Sequence, residues 1–344
     1  MNSDFNSTLD LIPDGTAKSP ILIIPYMWIG DFVRSHSVVR LLKRRWPNRP
    51  IDFLTNQLCA PLLDYMPGVR KGIVQDLPRG RLPLGDYWTL AKRFRSESYG
   101  TALVMPRTWK AALAPFLAGI PERTGFAGEA RFGLINDMRW GERKLERMID
   151  CFGALALPKG SELPADWPLP HMEVPQAEIA AWRQRWSLPA DGPRSIAMAP
   201  GAVGPGKAWP PEFYAELARR LTASGVAVWV LGGPNETMIA AEIAAKAGAL
   251  AHNLTGHDLR NAVIALKAAD AAVTNDSGLM HIAAALGTPT VAIFGPTSPR
   301  LWAPLNPLAA ILEPEGTYLD IRERNTRGVG VDRVDQAIRR TLGV

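Results

Sequence analysis

The chain has 344 residues, of which 47% are hydrophobic and 21% charged, and its net charge is +6. This composition is that of a globular protein with about two domains, and it excludes an intrinsically disordered chain. No apolar run reaches the roughly 18–20 residues needed to span a bilayer, and the N-terminus has no signal-peptide pattern. The cysteines are Cys59 and Cys151. We therefore expect a cytoplasmic protein with reduced thiols.

The positive charge is concentrated in the first half of the chain, where residues 1–175 hold 23 Lys and Arg against 18 Asp and Glu. A basic run without any acid, as at residues 34–49, is usually the solvated face of a helix. The functional alternative is an anionic partner or an acidic membrane surface. Nucleic acid is less favoured, because no known binding motif accompanies the charge. One cluster without any acid stands out: Arg34, Arg40, Lys43, Arg44, Arg45 and Arg49.

Strands and helices alternate in the first half, after a polar extension over residues 1–20. Short apolar runs between segments of helical periodicity are typical of a parallel sheet covered by helices. Prolines are dense over residues 156–193, which indicates a domain boundary, placed here after residue 175. The predicted strands are 21–24, 51–54, 72–74 and 101–105, and the predicted helices are 32–46, 60–66, 87–98 and 108–117.

A second alternating series occupies residues 176–330, and a terminal amphipathic helix lies within residues 331–344. The predicted fold class is α/β, with two Rossmann-like doubly wound domains that face a central cleft. Ligands of such domains bind at the carboxyl ends of the strands. The predicted strands are 195–199, 226–231, 271–274 and 290–294, and the predicted helices are 177–186, 211–224, 236–247, 279–286 and 331–342.

The strongest ligand signal lies in residues 270–299, DAAVTNDSGLMHIAAALGTPTVAIFGPTSP. A strand is followed there by N-cap residue types and a short helix. The N-terminus of such a helix offers free N–H groups and the positive end of the helix dipole. Most strand–helix–strand units bind no ligand. The side chains of Asp276 and Ser277, the glycine at Gly278 and the later Gly-Pro-Thr-Ser loop nevertheless favour an anion site.

A glycine-rich loop, GAVGPGKA at residues 201–208, matches the first part of a P-loop. The match fails at Ala208, where a Mg²⁺-binding Ser or Thr would stand, so an ATPase is weakly supported. Lys207 still suits a diphosphate. No G-x-G-x-x-G follows the first strand of either half, no Asp-x-Asp occurs, and the five histidines lack metal-ligand spacing.

Three further side chains have both a structural and a functional interpretation. Asp31, after Gly30, either caps a helix or serves as a general base at a strand end. Glu236 is either an ordinary first-turn acid or a ligand for ribose hydroxyls. His281, inside an apolar helix, is expected to be a core residue.

Five segments, taken in order, resemble bacterial lipopolysaccharide heptosyltransferases of glycosyltransferase family 9, and the heptosyltransferase II branch more than the I branch. The resemblance covers the chain from about Ile21 to Trp302. It implies the GT-B fold and an inverting, metal-independent transfer of heptose from ADP-heptose, without a cofactor. The segments are WIGDFVRSHSVVRLLKRRWP, PRTWKAALAPFLAGIPERTGFAGEARFGLINDMR, APGAVGPGKAWPPEFYAELARRL, LGGPNE and TNDSGLMHIAAALGTPTVAIFGPTSP.

The resemblance also implies that the two domains bind different substrates. Residues 21–175 would bind the acceptor, an anionic lipopolysaccharide core precursor of the heptosyl-Kdo2-lipid A type, and residues 176–330 the sugar nucleotide. Asp31 would be the general base, and Lys207 would neutralise the diphosphate leaving group. Donor binding falls to Gly30, Lys207, Glu236, Asp276, Ser277 and Gly278, and acceptor binding to Lys110, Arg123 and Arg131.

The implied location is peripheral, at the cytoplasmic face of the inner membrane, with no nucleic-acid partner. Two departures from the II branch bear on the acceptor: the extension 1–20, and the absence of cysteine from ILEPEGTYLDIRERNTRGVG. Two alternatives stay open. One is a GT-B enzyme with another nucleotide sugar or acceptor, and the other is a sugar-nucleotide-binding homologue without catalysis.

Overall fold

The computed structural model describes residues 19–78 and 82–343. The chain divides after Leu169 into two compact units, here called unit 1 and unit 2. The carbonyl of Leu169 accepts a hydrogen bond from Arg40 in unit 1, 2.6 Å, whereas the N–H of Met172 donates to the carbonyl of Ala285 in unit 2, 2.8 Å. The sequence placed this boundary after residue 175. Residues 1–18 of the predicted extension lie outside the described residues.

Unit 1 is built on one parallel sheet. Its strands are β1 (Ile21–Ile24), β2 (Ile51–Thr55), β3 (Lys71–Val74), β4 (Thr101–Val104), β5 (Glu122–Phe126) and β6 (Asp137–Arg139). Its helices are α1 (Ile29–Arg45), α2 (Leu84–Ser96), α3 (Trp109–Leu117) and α4 (Met148–Ala156), with 3₁₀ turns at Ala60–Tyr65 and Glu142–Lys144. The order across the sheet is β3-β2-β1-β4-β5-β6. Every residue of β1 is buried, as in a parallel strand covered on both faces.

Unit 2 repeats this plan. Its strands are β7 (Ser195–Ala199), β8 (Ala227–Val230), β9 (Ala251–Asn253), β10 (Ala271–Asn275), β11 (Thr290–Ile293) and β12 (Ala309–Leu312). Its helices are α5 (Gln176–Arg185), α6 (Pro211–Ala223), α7 (Thr237–Ala247), α8 (Leu259–Ala268), α9 (Gly278–Ala285), α10 (Pro299–Trp302) and α11 (Val331–Leu342), with 3₁₀ turns at Pro234–Glu236, Ile321–Glu323 and Thr326–Gly328. The strand order is β12-β11-β10-β7-β8-β9, all parallel.

Both sheets have the same topology. Numbered from its own first strand, each has the order 3-2-1-4-5-6 of the doubly wound dinucleotide-binding fold. The order reverses between β1 and β4 in unit 1, and between β7 and β10 in unit 2. Ligands of such sheets bind beside the reversal, at the edge where the strands end, here called the carboxyl edge. The α/β fold class with two Rossmann-like doubly wound domains is therefore confirmed.

The terminal helix α11 belongs to the core of unit 2. Val334, Ile338 and Leu342 recur on one face of this helix and are buried in the same cluster as Val291 and Ile293 of β11. This is the packing expected of an amphipathic helix. Among the helices of residues 19–78 and 82–343, none combines the length and the apolar character needed to cross a bilayer.

Candidate functional site

Asn275, the last residue of β10, holds the glycine-rich loop that follows β7. Its side chain is fully buried. The Oδ1 atom accepts from the backbone N–H of Trp209, 3.0 Å, and from the hydroxyl of Tyr214, 3.3 Å, while Nδ2 donates to the carbonyl of Pro200, 2.7 Å. One amide therefore fixes both ends of the loop 200–209 beside the reversal of strand order.

The same loop is held from its other side by Thr326. The N–H of Thr326 donates to the carbonyl of Gly206, 3.1 Å, and its hydroxyl to the carbonyl of Ala208, 2.7 Å. A Cβ atom at Gly295 would lie 2.5 Å from that Gly206 oxygen. Position 295 therefore requires glycine. No sequence motif indicated Thr326, because it is remote in the chain and stands in a polar loop.

Lys207 and Asp276, predicted from two separate motifs, form an ion pair. Lys207 Nζ lies 2.8 Å from Asp276 Oδ2, and the two side chains are only 22% and 8% exposed. The hydroxyl of Thr297 donates to the same oxygen, 2.7 Å. The pair thus joins the loops after β7, β10 and β11. Thr297 was not predicted, although it belongs to the Gly-Pro-Thr-Ser loop.

Ser277 is the N-cap residue of α9, but its side chain makes no capping hydrogen bond. Its Oγ atom is buried and has no partner within the described residues. Leaving a buried hydroxyl unpaired costs about 1–3 kcal/mol. The hydroxyl stands at the N-terminus of α9, and helix N-termini are positions at which proteins bind phosphates.

Glu236 lies in a 3₁₀ turn just before α7. Its Oε2 atom accepts from the N–H of Gly233, 2.8 Å, so one oxygen does satisfy a local backbone group. The carboxylate also packs on Gly201, where an added Cβ would lie 3.0 Å from Oε1. This contact places Glu236 at the start of the glycine-rich loop that carries Lys207.

Asp31 does not cap α1. The N-cap residue is Trp28, and Asp31 is the third residue of the helix. Its Oδ1 atom accepts from an Nη atom of Arg34, 2.6 Å, and the side chains of Arg34 and Asp31 are 5% and 13% exposed. Burial raises the pKa of Asp31 above its ordinary value, while the cation of Arg34 acts in the opposite direction. A higher pKa makes the carboxylate a stronger base. Gly30, the helix residue before Asp31, also belongs to unit 1, unlike the other predicted donor residues.

The acid-free basic cluster is not an open anion-binding surface. Arg49 is 5% exposed and donates to the carbonyl of Ser19 and the hydroxyl of Thr101. Lys43 donates to the carbonyl of Arg49, 2.8 Å, and Arg44 pairs with Asp166. Much of the cluster therefore stabilises unit 1 itself, an outcome that neither sequence interpretation anticipated.

Two of the three predicted acceptor-binding residues donate hydrogen bonds to backbone carbonyls of unit 1. Arg131 is 1% exposed and donates to the carbonyls of Pro106 and Phe126. Arg123 donates to the carbonyls of Ile120 and Leu134. Both guanidinium groups thus donate to backbone oxygens of unit 1, which is a structural role, and their acceptor-binding role stays a prediction. Lys110 lies half-buried at the second position of α3, on the carboxyl edge.

A cavity of about 460 Å³ lies at the ends of β5 and β6. Arg107 lines it and pairs with Glu142, 2.9 Å. Arg143 and Lys144, exposed at its rim, have no partner in the described part of the chain. The charges of Glu142, Arg107 and Asp31 all act on the hydroxyl of Tyr26, whose pKa is raised chiefly by burial. Two lining residues of the cavity, Arg107 and Glu142, therefore lie near Tyr26, in the loop between β1 and the helix α1 that carries Asp31. None of its cations was predicted, because the surrounding segment has no regular periodicity.

No group of three or more His, Cys, Asp or Glu side chains suited to a metal ion occurs within the described ranges. His281 is 5% exposed inside α9, as expected for a core histidine.

Asn275→Ala should lower the free energy of unfolding by about 3 kcal/mol or more, because three buried groups lose their partner. Tyr214→Phe, the control, removes one of these bonds and should cost about 1 kcal/mol. Urea-induced unfolding measures both. Hydrogen exchange should accelerate in residues 201–208 for Asn275→Ala only. Equal costs for the two variants would contradict the anchoring role.

Comparison with known proteins places these features in a family. Residues 87–326 match the model of glycosyltransferase family 9 (heptosyltransferase). The chain is 39% identical to lipopolysaccharide heptosyltransferase 2 of Escherichia coli K12 over 88% of this chain and 90% of that protein. It is 38% identical to lipooligosaccharide heptosyltransferase 2 of Haemophilus influenzae, over 90% and 92% respectively.

A solved structure of similar fold is that of E. coli ADP-heptose LPS heptosyltransferase II, with a TM-score of 0.85, 35% identity, and coverage of 94% of this chain and 98% of that one. Both the family match and the relatives span most of the chain. The protein is therefore a glycosyltransferase and belongs to glycosyltransferase family 9, the heptosyltransferases.

Proposed function

We propose that this enzyme transfers heptose from ADP-heptose to the lipopolysaccharide inner core, on an acceptor of the heptosyl-Kdo2-lipid A type. The transfer inverts the anomeric centre, needs no metal or cofactor, and takes place at the cytoplasmic face of the inner membrane. The observation that carries the proposal is the buried Asp31–Arg34 pair beside the strand reversal of unit 1. The identity to heptosyltransferase 2 proteins supports the choice of sugar and acceptor.

In the proposed reaction the acceptor hydroxyl attacks the anomeric carbon of the heptose. A C–O bond forms there while the bond from that carbon to the β-phosphate oxygen of ADP breaks. The hydroxyl proton passes to the carboxylate of Asp31, and ADP leaves with the bonding electron pair. This displacement needs a base for the proton and a positive site for departing ADP. Asp31 in unit 1 is proposed as the base, and the anion site of unit 2 is proposed to stabilise ADP.

The donor is proposed to bind unit 2 at its strand reversal. The N-terminus of α9 and the unpaired hydroxyl of Ser277 suit the diphosphate, and Lys207 suits the charge that develops on departing ADP. Asp276 is anchored through Oδ2, so Oδ1 is proposed to accept a hydrogen bond from a sugar hydroxyl. Glu236 is proposed to bind the ribose.

The acceptor is proposed to bind the carboxyl edge of unit 1. Lys110 remains a candidate there, and we add Arg143 and Lys144, which are exposed and have no partner among the described residues, to the predicted Arg123 and Arg131. Cations at the mouth of a cavity that also exposes aromatic rings suit an acidic sugar carried on a lipid.

Asp31→Asn should lower kcat by about 10²–10⁴-fold, because the amide keeps the shape of the side chain but accepts no proton. Binding of ADP-heptose, followed by calorimetry, should change little. The assay measures transfer from ADP-heptose to heptosyl-Kdo2-lipid A in the presence of a metal chelator. Wild-type protein that binds the donor without transfer would identify a non-catalytic homologue. Preferential stabilisation by UDP or GDP over ADP would indicate another nucleotide sugar.

Lys207→Met should weaken ADP binding and lower kcat by about 10²–10³-fold, since it removes the cation proposed for the leaving group. Lys246→Met, at the exposed end of α7, is the charge-matched control and should behave as wild type. Calorimetry with ADP and single-turnover kinetics measure the two effects. Unchanged kinetics in Lys207→Met would remove this residue from the site.

Arg34→Gln should move the acid limb of the kcat/KM profile upward by about one pH unit or more. Asp31 must be ionised to take the proton, so activity is lost as the pH falls through its pKa. Burial already raises that pKa, and Arg34 opposes the rise. Removal of the cation therefore places the loss of activity at higher pH. Arg34→Lys keeps a cation at this position and should shift the acid limb less. An acid limb that stays in place would show that the pair does not tune the base.

A further inference from the structure

The exposed apolar side chains of unit 1 are concentrated at one edge of its sheet. Of the eight large ones that are at least about a third exposed in its described part, seven lie between the end of a strand and the second turn of the helix after it, or in the loop to the next strand. The eighth, Phe116, stands at the end of α3 near the opposite edge. The seven are Trp28 (52% exposed), Leu58 (54%), Leu82 (37%), Leu84 (64%), Trp88 (49%), Phe132 (75%) and Trp140 (68%).

Single exposed apolar residues need no explanation on a protein surface. Their concentration at one edge of the sheet does need an explanation, and so does the kind of side chain found there. Three of the seven are tryptophans, whose amphipathic rings favour the interface between water and a lipid bilayer. The edge is also the one at which β1 ends and Asp31 follows.

The helix α2 has the pattern of an interfacial helix. Tyr87, Leu90 and Phe94 are buried and attach it to the sheet. Its outward face carries Leu84, Trp88 and Lys92 at spacing i, i+4 and i+8, so that they form one continuous row. Lys92 is exposed and has no partner among the described residues. An apolar row that ends in a free cation suits the boundary between acyl chains and anionic headgroups.

Free cations also stand beside the aromatic residues after β5 and β6. Phe132 and Trp140 line the cavity described above together with Arg143 and Lys144. Much of the acid-free basic cluster, in contrast, is bound to groups of unit 1 itself. Three cations without a partner among the described residues, Lys92, Arg143 and Lys144, therefore lie beside exposed apolar side chains, as expected for contact with an anionic membrane surface.

We propose that this edge binds the surface of a bilayer that contains anionic phospholipid. The apolar rim is formed by Leu82, Leu84, Trp88, Phe132 and Trp140, with Lys92, Arg143 and Lys144 as its cations. The purpose of this contact rests on the proposed function, because docking at the carboxyl edge presents the headgroup of a lipid-anchored acceptor to Asp31. The binding itself is testable without any transfer reaction.

Cosedimentation of the full chain with vesicles of phosphatidylethanolamine and phosphatidylglycerol tests the binding. The double variant Leu84→Ser/Trp88→Ser should bind about tenfold or more weakly than wild type, because two apolar contacts with lipid are lost. Phe116→Ser, at the opposite edge, is the matched control and should bind as wild type. Lys92→Glu should weaken binding to these vesicles but not to pure phosphatidylcholine.

Transfer kinetics provide the second arm. The double variant should lower kcat/KM for the acceptor embedded in vesicles and leave kcat/KM unchanged for the same oligosaccharide without acyl chains. Equal loss in Phe116→Ser, or vesicle binding that no rim substitution weakens, would overturn the proposal. Loss of activity on both acceptors with intact vesicle binding would assign Leu84 and Trp88 to another role. Vesicle binding without any transfer by the wild-type protein would contradict the proposed function but would still support membrane binding by the apolar rim.

Discussion

The candidate donor site depends on one buried amide. Asn275 ends β10 and is hydrogen-bonded to both ends of the loop that leaves β7, so the two strands beside the reversal are joined through their loops as well as through the sheet. This anchoring leaves Lys207 where its ammonium reaches Asp276. A flexible glycine-rich loop without such an anchor would lose more conformational entropy when it binds a diphosphate. The amide therefore pre-organises the loop before any ligand is present.

A buried polar group also matters in unit 1, where it is the charged carboxylate of Asp31. Asp31 is largely removed from water, which disfavours its ionised form, and the buried guanidinium of Arg34 offsets part of that cost. The two units thus have the same sheet topology but place different chemistry at the reversal. Unit 1 carries a tuned carboxylate, and unit 2 carries a helix N-terminus with an ammonium group.

Apolar periodicity predicted the long elements well, because burial in a parallel sheet demands continuous hydrophobic runs. The predicted terminal helix 331–342 has the observed bounds. The strands and α-helices that went unpredicted are β5, β6, β9, β12, α4, α8 and α10. Among these, β6 and β9 have three residues each, too few for a period to be visible. The residues Glu122 and Arg123 at the start of β5 are polar, so that strand resembles a loop in sequence.

The sequence by itself determined the fold class and the family, and it indicated the residue types of the candidate donor site, because glycine-rich loops and N-cap residues at strand ends are local patterns. Only the tertiary structure decided which cations are free. Arg131 and Arg123 are used on backbone carbonyls, whereas Arg143, Lys144 and Lys92 are exposed without a partner. The roles of Asn275, Thr326 and Arg34 likewise appear only in the folded chain. Whether a charged or amide group binds a ligand or stabilises the fold depends on what lies within about 3 Å of it, and the chain order does not encode those distances directly.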